Sequence, residues 1–256
     1  MTLENQCLLA NRCKKAGQEE FCNPLCFAYR KFHGESGSRG IYGLAGIPSA
    51  YMKARADNLP FKKDNPEAYV IVTRYCSKIL QNVDEGIGFY FYSIPNELNR
   101  KGTGTGKTTA AISILNEFLV ERMIQHVKKE RMIEDFPALF VNVSKFQNTF
   151  NSQFRGTKEM QEEASAKYYR FKERMMKVDL LVLDDIGIRD ATESFMNEFY
   201  EIVDERAIEQ RATIFTSNVP INQLAETLDD RIASRIEGST IQVSFVGEDK
   251  RKRGVF

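Results

Sequence analysis

The segment best suited to chemistry is a glycine-rich run that ends in a lysine and two threonines, directly after an apolar stretch over residues 87–93. Consecutive backbone N–H groups in such a turn surround anionic phosphates, and the helix that follows points its positive end at them. Lys107 is placed to reach the β- and γ-phosphates of ATP, and the Thr108 hydroxyl to hold Mg²⁺. The predicted phosphate loop and first helical turn consist of Gly102, Thr103, Gly104, Thr105, Gly106, Lys107, Thr108 and Thr109.

The loop departs from the pattern G-x-x-x-x-G-K-[ST] at its first position, where Lys101 stands in place of glycine. That glycine shapes the entry to the loop, whereas the residues that face the phosphates are all present. A flexible turn without a ligand is the alternative interpretation. The apolar spacing of the helix predicted over residues 108–123 argues against it. Whether Lys101 weakens ATP binding stays open.

Two carboxylates follow the apolar run over residues 178–183. A nearly continuous apolar strand suits a parallel sheet that is covered on both faces, and ligands bind at the carboxyl ends of such strands. We expect Asp184 to hold Mg²⁺ and Asp185 to polarise the attacking water. Paired carboxylates after a strand can also be simple loop caps, but the phosphate loop makes that alternative weaker.

Three further side chains separate classes of phosphate-loop protein. Asn218 follows a strand predicted over residues 212–216, where a polar group can orient the lytic water. Arg231 and Arg235 are four residues apart and therefore share one helical face. Paired arginines usually form surface ion pairs, but one of them can instead reach the γ-phosphate bound to a neighbouring subunit. The sequence does not indicate which of the two arginines would reach that phosphate.

Four of the five cysteines lie close to the N-terminus, at Cys7, Cys13, Cys22 and Cys26. Four thiolates can surround one tetrahedral Zn²⁺, and so short a segment cannot build an apolar core of its own. The spacing is looser than in paired zinc knuckles. Scattered cysteines, an iron–sulfur cluster or a site that includes His33 therefore remain alternatives to the predicted zinc module.

Composition limits the remaining possibilities. A chain of 256 residues has room for one α/β domain and a small appendage. A net charge of +1 creates no general basic field, so contact with nucleic acid requires a local patch. Since no stretch is apolar enough for a signal peptide or a membrane span, we expect a cytoplasmic protein.

The elements that must position these residues alternate between strand and helix. Strands are predicted over residues 87–93, 138–143, 179–183, 212–216 and 240–245, and helices over 65–82, 108–123, 193–210 and 221–228, with a further helix capped by Ser144. Alternation of this kind indicates the α/β class, a parallel sheet with helices on both sides. The predicted domains are a cysteine-rich module (1–33), a linker and nucleotide-proximal segment (34–60) and an ATPase domain (61–256).

In combination, these motifs resemble the helicase loaders of the DnaC/DnaI type, AAA+ ATPases related to the transposition helper IstB. The resemblance extends from about residue 47 to Arg251 and rests on G-T-G-T-G-K-T-T, L-L-V-L-D-D-I-G, T-I-F-T-S-N, D-R-I-A-S-R-I and F-V-G-E-D-K-R. The cysteine-rich segment is similar to the zinc-binding N-terminal domain of DnaI-type loaders but shorter, which suggests a phage or mobile-element version.

The resemblance implies an AAA+ fold without a C-terminal lid, ATP-dependent self-association and ATPase activity stimulated by DNA or a partner. Asp185 stands where many AAA+ proteins have glutamate, and its shorter side chain suits slow hydrolysis. The resemblance also implies that the N-terminal module binds a hexameric, DnaB-type replicative helicase for delivery onto single-stranded DNA. An apolar docking surface is predicted in that module from Phe21, Leu25, Phe27, Tyr29 and Phe32.

DNA contact is implied for the helical insertion over residues 145–177, where cations alternate with aromatic rings. Its candidate residues are Lys145, Arg155, Lys158 and Lys167 with Phe146, Phe150, Phe154, Tyr168 and Tyr169. An IstB-like transposition helper, a small-molecule nucleotide kinase and an adaptor that does not hydrolyse ATP remain alternative functions.

Overall fold

A five-stranded parallel sheet forms the centre of the computed structural model, which describes residues 3–35, 39–97, 99–187 and 191–250. The strand order is β2-β3-β4-β1-β5, so β4 lies between β3 and β1. This order confirms the predicted α/β class, and it brings the ends of β1, β3 and β4 together at one edge of the sheet. The strands are β1 (Gly88–Ser93), β2 (Ala138–Asn142), β3 (Leu180–Asp184), β4 (Ala212–Ser217) and β5 (Thr240–Phe245).

Helices cover both faces of the sheet. Side chains of a strand alternate between faces, so Phe89 and Phe91 enter the core on the α5 side while Tyr90 enters the core on the α8 side. The helices are α1 (Phe27–His33), α2 (Ile41–Leu44), α3 (Pro66–Ser77), α4 (Ile79–Asp84), α5 (Lys107–Val127), α6 (Val143–Ser152), α7 (Lys158–Lys177), α8 (Glu193–Ile208), α9 (Ile221–Thr227) and α10 (Asp230–Ser239).

Two helix predictions differ from the structure. The helix predicted over residues 65–82 is divided at Lys78, whose φ of −128° is not helical. The helix after β2 begins at Val143, and its N-cap is Asn142 rather than Ser144, because the Asn142 side chain accepts from the Lys145 backbone N–H. Asn65 occupies the N-cap position of α3, but its side-chain amide binds the backbone of Val246 after β5, at 3.0 and 2.7 Å.

The N-terminal segment packs against the core of the larger domain. Leu9 and Phe32 belong to the same buried cluster as the apolar face of α5. The Leu8 carbonyl accepts from Arg55 at 3.0 Å, and Arg55 forms a two-pronged ion pair with Glu117 of α5 at 2.7 and 2.8 Å. The segment therefore shares a core with the larger domain. Residues 36–38 of the predicted linker lie outside the described residues.

A buried arginine fixes the beginning of β4. The Arg206 guanidinium is 1% exposed and donates to the carbonyls of Met175, Val178 and Ala212 and to the Thr213 hydroxyl, at 2.7–2.8 Å. Burial lowers its pKa to about 9. These bonds hold the start of the strand that leads to the candidate site. Among the described helices, none combines the length and apolarity required to cross a bilayer.

Candidate functional site

The loop between β1 and α5 follows a path that only glycine readily adopts at three positions. Gly102, Gly104 and Gly106 have φ values of +61°, +66° and +111°. Space is restricted as well, since a Cβ at Gly106 would lie 2.8 Å from the ring of Phe61. Thr105 and Thr109, buried beside them, complete the loop and the first turn of α5. The backbone thus has the tight glycine turn predicted for a phosphate loop.

Lys107 is the first residue of α5 and is 7% exposed. Its ammonium donates to the Ser93 hydroxyl at 2.5 Å, to the Gly102 carbonyl at 3.0 Å and to the Asn218 side-chain oxygen at 2.9 Å. Ser93 also donates to the Gly102 carbonyl at 2.6 Å and lies 2.9 Å from the Thr105 hydroxyl. The sequence analysis did not identify Ser93 as a site residue, although a polar residue at the end of the strand before the loop could have indicated it.

The outer side of the loop contacts residues that follow β5. Thr103 donates to the Asp249 carboxylate at 3.0 Å, and the Lys250 N–H donates to the Gly104 carbonyl at 3.2 Å. The Asn99 amide joins the carbonyls of Thr103 and Gly247, at 2.7 and 3.0 Å. The motif around Asp249 was recognised in the sequence, but its contact with the loop was not. Arg251 lies outside the described residues.

Asp184 and Thr108 meet across the edge of the sheet. The Thr108 hydroxyl donates to Oδ1 of Asp184 at 2.7 Å, and Asp184 is 8% exposed at the end of β3. Hydroxyl and carboxylate oxygens are ligands that suit Mg²⁺. The two residues therefore fit a magnesium ion beside the phosphate loop.

Asp185 and Asn218 lie next to this pair. Asp185 has a φ of +58°, in the left-handed region that aspartate tolerates better than most residues. The Asn218 amide donates to Asp185 at 3.3 Å while its oxygen accepts from Lys107. One amide thus connects the lysine of the loop with the second carboxylate. Thr216 also belongs to this group, since its hydroxyl contacts Asp184 and the Asp185 backbone N–H.

Arg231 and Arg235 lie on α10, and their contacts are with residues of α8 and with the N-cap of α10. Arg231 donates to Asp229 at 3.1 Å and lies 4.8 Å from the ring centroid of Tyr200. Arg235 pairs with Asp204 at 2.6 Å. The hydrogen bond that Arg231 donates to the Asp229 carboxylate raises the pKa of Arg231. The side chains are 57% and 48% exposed, so the face that carries them is open to solvent.

The four N-terminal cysteines do not support the zinc prediction. Within the described ranges, no three or more histidine, cysteine, aspartate or glutamate side chains are grouped closely enough to hold a metal ion. Burial raises the pKa of Cys7 to about 11, whereas Cys13 is exposed. His33 is buried and its Nε2 accepts from the Leu8 N–H at 3.2 Å, so this nitrogen is not available to a metal ion. Leu9 and Phe32 of this segment belong to the same buried core as α5, which supplies apolar burial that so short a segment cannot provide alone.

The predicted apolar and aromatic surfaces are only partly exposed. In the N-terminal module Tyr29 and Phe32 are buried, and the exposed side chains are Phe21, Leu25 and Phe27. In the insertion, which comprises α6 and α7, the rings of Phe146, Phe150 and Tyr168 are buried. Phe154 and Tyr169 are 68% and 57% exposed, and the four predicted cations of the insertion, Lys145, Arg155, Lys158 and Lys167, are exposed as well.

Comparison with known proteins finds similarity to a family of ATP-binding proteins and to a replicative helicase loader. Residues 146–251 match the sequence model of the family described as IstB-like ATP binding protein. The replicative helicase loader DnaC of Buchnera aphidicola subsp. Baizongia pistaciae is 25% identical over 215 residues, which cover 83% of this chain and 75% of the relative. The predicted phage or mobile-element origin stays a prediction.

Two solved structures share the fold. The structure of DnaI superimposes with a TM-score of 0.55 at 20% identity, over 78% of this chain and 94% of that one. The structure of the DnaC helicase loader gives a TM-score of 0.53 at 20% identity, over 77% of this chain and 99% of that one. At these identities the likeness establishes the architecture of the sheet and its helices.

Proposed function

We propose that this chain, which carries an IstB-like ATP-binding domain and is homologous to the DnaC replicative helicase loaders, is an ATP-dependent loader. It binds a hexameric replicative helicase and delivers it onto single-stranded DNA. The observation that carries the proposal is the connection from Lys107 through Asn218 to Asp185, because it joins the phosphate loop to a carboxylate suited to hydrolysis.

ATP binds with its phosphates in the loop over residues 102–109. The backbone N–H groups and the N-terminus of α5 stabilise the negative charge, and Lys107 adds a cation. Lys107 exchanges oxygen partners when it turns from Ser93 and the Gly102 carbonyl toward the phosphates. Lys101 is exposed at the entry of the loop, so it does not replace the buried Lys107 as the phosphate cation.

Hydrolysis uses the edge of the sheet beside the loop. Thr108 and Asp184 hold Mg²⁺, which neutralises charge on the phosphates when it is bound. Asp185 polarises the attacking water, and the Asn218 amide orients it while remaining tied to Lys107. Because Asp185 is one methylene shorter than glutamate, we propose slow turnover that DNA or the partner stimulates.

Self-association provides the remaining cation. Either Arg231 or Arg235 reaches the γ-phosphate held by a neighbouring chain, in trans. Their exposure on α10 supports this role, and the ion pairs with Asp229 and Asp204 keep both guanidinium groups charged and oriented. The chain therefore completes its hydrolytic site only as an ATP-dependent homo-oligomer.

Single-stranded DNA binds along the insertion. Phe154 and Tyr169 are the exposed rings on which bases stack, and the surrounding cations neutralise phosphates. Because the chain has a net charge of only +1, this local patch supplies the electrostatic attraction. Phe146, Phe150 and Tyr168 are assigned to the core instead.

The module over residues 1–33 is the surface that docks on the helicase. Leu25 is 79% exposed and Phe27 is 65% exposed, although both lie beside a well-packed core. Exposed apolar groups of this kind usually mark a protein interface. Lys15 lies 3.7 Å from the ring centroid of Phe21, which adds a cation at the margin of this surface.

A transposition helper is the second candidate, because the matching family model is described as IstB-like. Size-exclusion chromatography of the chain with a bacterial replicative helicase, with and without ATP, separates the candidates. A loader forms a complex with the helicase. In Lys107→Ala, the additional complex that forms when ATP is present should be reduced. Failure of the parent chain to bind any replicative helicase, together with binding to a transposase, supports the transposition helper instead.

A further inference from the structure

We infer that Thr216 is a positioning residue whose single hydroxyl binds both the Asp184 carboxylate and the backbone of Asp185 at the ATP site. The inference rests on the proposed ATPase function and adds to it a residue that does not itself touch nucleotide. Thr216 lies in β4, is 2% exposed, and is paired with Phe91 of β1 in the register of the sheet. Its side chain is therefore fixed at the junction of the phosphate loop and the two carboxylates.

The hydroxyl orients Asp184 by donating to its Oδ1 at 2.8 Å. The same carboxylate oxygen accepts from Thr108 at 2.7 Å. Two hydroxyls that converge on one oxygen fix the plane of the carboxylate, because each bond limits rotation about the Cβ–Cγ bond. Partners of this kind behind a metal-binding carboxylate tune the affinity for the ion.

The same hydroxyl fixes the backbone of Asp185 by accepting from its N–H at 2.9 Å. Asp185 has a φ of +58°, and left-handed backbone in a residue other than glycine persists only where surrounding contacts hold it. The next N–H, of Ile186, donates to the Thr216 carbonyl at 2.9 Å. Thr216 thus holds the backbone of both residues that follow β3, Asp185 through its hydroxyl and Ile186 through its carbonyl.

A purely structural role for Thr216 makes a different prediction. Threonine suits a central strand because of its branched Cβ, which valine retains and serine lacks. If packing alone mattered, Thr216→Val would behave like the parent and Thr216→Ser would be the damaging change. The positioning role predicts the reverse order, because serine keeps the hydroxyl.

The test measures binding of a fluorescent ATP analogue to the full chain, in Mg²⁺ and in EDTA. In EDTA, Thr216→Val should bind within about twofold of the parent, since the phosphate loop is unchanged. In a Mg²⁺ titration, the concentration that gives half of the magnesium-dependent gain in affinity should rise about tenfold, a typical effect of losing a partner behind a metal ligand. Thr216→Ser should restore most of the parent's response.

Thr213→Val is the matched control on the same strand. The Thr213 hydroxyl accepts from Arg206 at 2.8 Å, at the opposite end of β4 from the site. This variant should lower the melting temperature without changing the magnesium dependence. If Thr216→Val does not fold, Thr216→Ala takes its place in the same titrations.

The inference would be overturned if Thr216→Val showed the same magnesium dependence of binding as the parent. It would also be overturned if Thr216→Ser lost this dependence as much as Thr216→Val does. Either result would leave the ATPase proposal intact. A parent chain that binds no nucleotide under any condition would overturn the proposed function and this inference together. The inference would also be contradicted if Thr216→Val lost as much affinity for the ATP analogue in EDTA as in Mg²⁺, because the phosphate loop itself would then depend on Thr216.

Discussion

The Thr108 hydroxyl lies 2.7 Å from the Asp184 carboxylate, although 76 positions separate the two residues in sequence. Thr108 belongs to α5, which follows β1, and Asp184 ends β3. Strand β4 lies between β1 and β3, and its Thr216 also donates to the Asp184 carboxylate. Ligands of open α/β sheets bind at such edges, so we expect the metal and the phosphates of ATP to bind beside this contact.

The two lysines of the loop should have unequal effects on nucleotide binding. Lys107→Ala should weaken ATP binding on the order of 100-fold, because it removes a buried charge that faces the phosphates. Lys101→Ala should change the affinity by about threefold or less, since an exposed charge is screened by water. Equilibrium binding of labelled ATP measures both. If the two variants lose affinity equally, Lys107 does not have the role assigned to it.

Asp185→Asn should separate binding from turnover. The variant should retain ATP, because Thr108 and Asp184 still hold Mg²⁺, but it should lose most of its hydrolysis because the amide polarises water poorly. Nucleotide binding and phosphate release, measured on the same preparation, check the separation. Parallel loss of both activities contradicts the separate roles of Asp184 and Asp185.

The arginines of α10 should act between chains. Arg231→Ala and Arg235→Ala should each bind ATP nearly as the parent does, whereas the one that supplies the trans cation should suppress hydrolysis. In the parent, the specific activity should increase with protein concentration as oligomers form. The trans role is excluded if the specific activity of the parent is independent of concentration and neither variant alters it.

Phe150 and Phe154, whose rings are in contact, should differ in what their loss affects. Phe154→Ala should weaken binding to single-stranded DNA by the stacking energy of about one base, roughly 1–3 kcal/mol, with little effect on stability. Phe150→Ala should instead cost about 3–5 kcal/mol of unfolding free energy, because this ring is buried against Tyr168 and Phe195. Fluorescence anisotropy with labelled DNA and denaturant unfolding make the comparison. Equal DNA affinity in Phe154→Ala and the parent counts against this surface.

The buried His33 should make the N-terminal segment sensitive to acid. Burial lowers the pKa of His33 from 6.5 to about 4. Between these values the unfolded chain binds a proton that the folded chain excludes, so the free energy of unfolding decreases as the pH falls, by roughly 3 kcal/mol over the window. Above pH 6.5 the group contributes no further change.

His33→Gln is the matched variant, because glutamine can still accept from the Leu8 N–H but does not titrate. Its unfolding free energy should decrease less than that of the parent across the same pH window, as measured by denaturant unfolding. Identical pH profiles for the two proteins would show that His33 is not buried in its neutral form.

The sheet could be predicted from sequence because its strands are covered on both faces. Continuous apolar runs such as the one before Asp184 leave little choice of structure, and the position of the glycine loop after β1 then fixes where Lys107 and Thr108 lie. These assignments also place the polar residues that follow the strands at the carboxyl edge of the sheet. Asn218 was located in the same way.

The contacts made in three dimensions could not be predicted. Which ring of the insertion is buried depends on the face that α6 and α7 turn toward α8. The sequence around Phe150 and Phe154 therefore does not distinguish the two rings, although the first is buried and the second is exposed. The zinc module was predicted because four cysteines lie within twenty residues, in a segment too short to bury a core of its own. In the structure, Leu9 and Phe32 use the core of the larger domain instead. The contact between Asp249 and Thr103 likewise joins distant parts of the chain.

Transfer of a replicative helicase onto covalently closed circular single-stranded DNA tests the central claim most directly, because a hexameric ring must open to enclose such a circle. The parent chain with ATP should leave helicase on the circles after gel filtration, and Lys107→Ala should leave only the amount that loads without any loader. Helicase loading by Lys107→Ala at the parent's level, or no stimulation by the parent chain, would contradict the account.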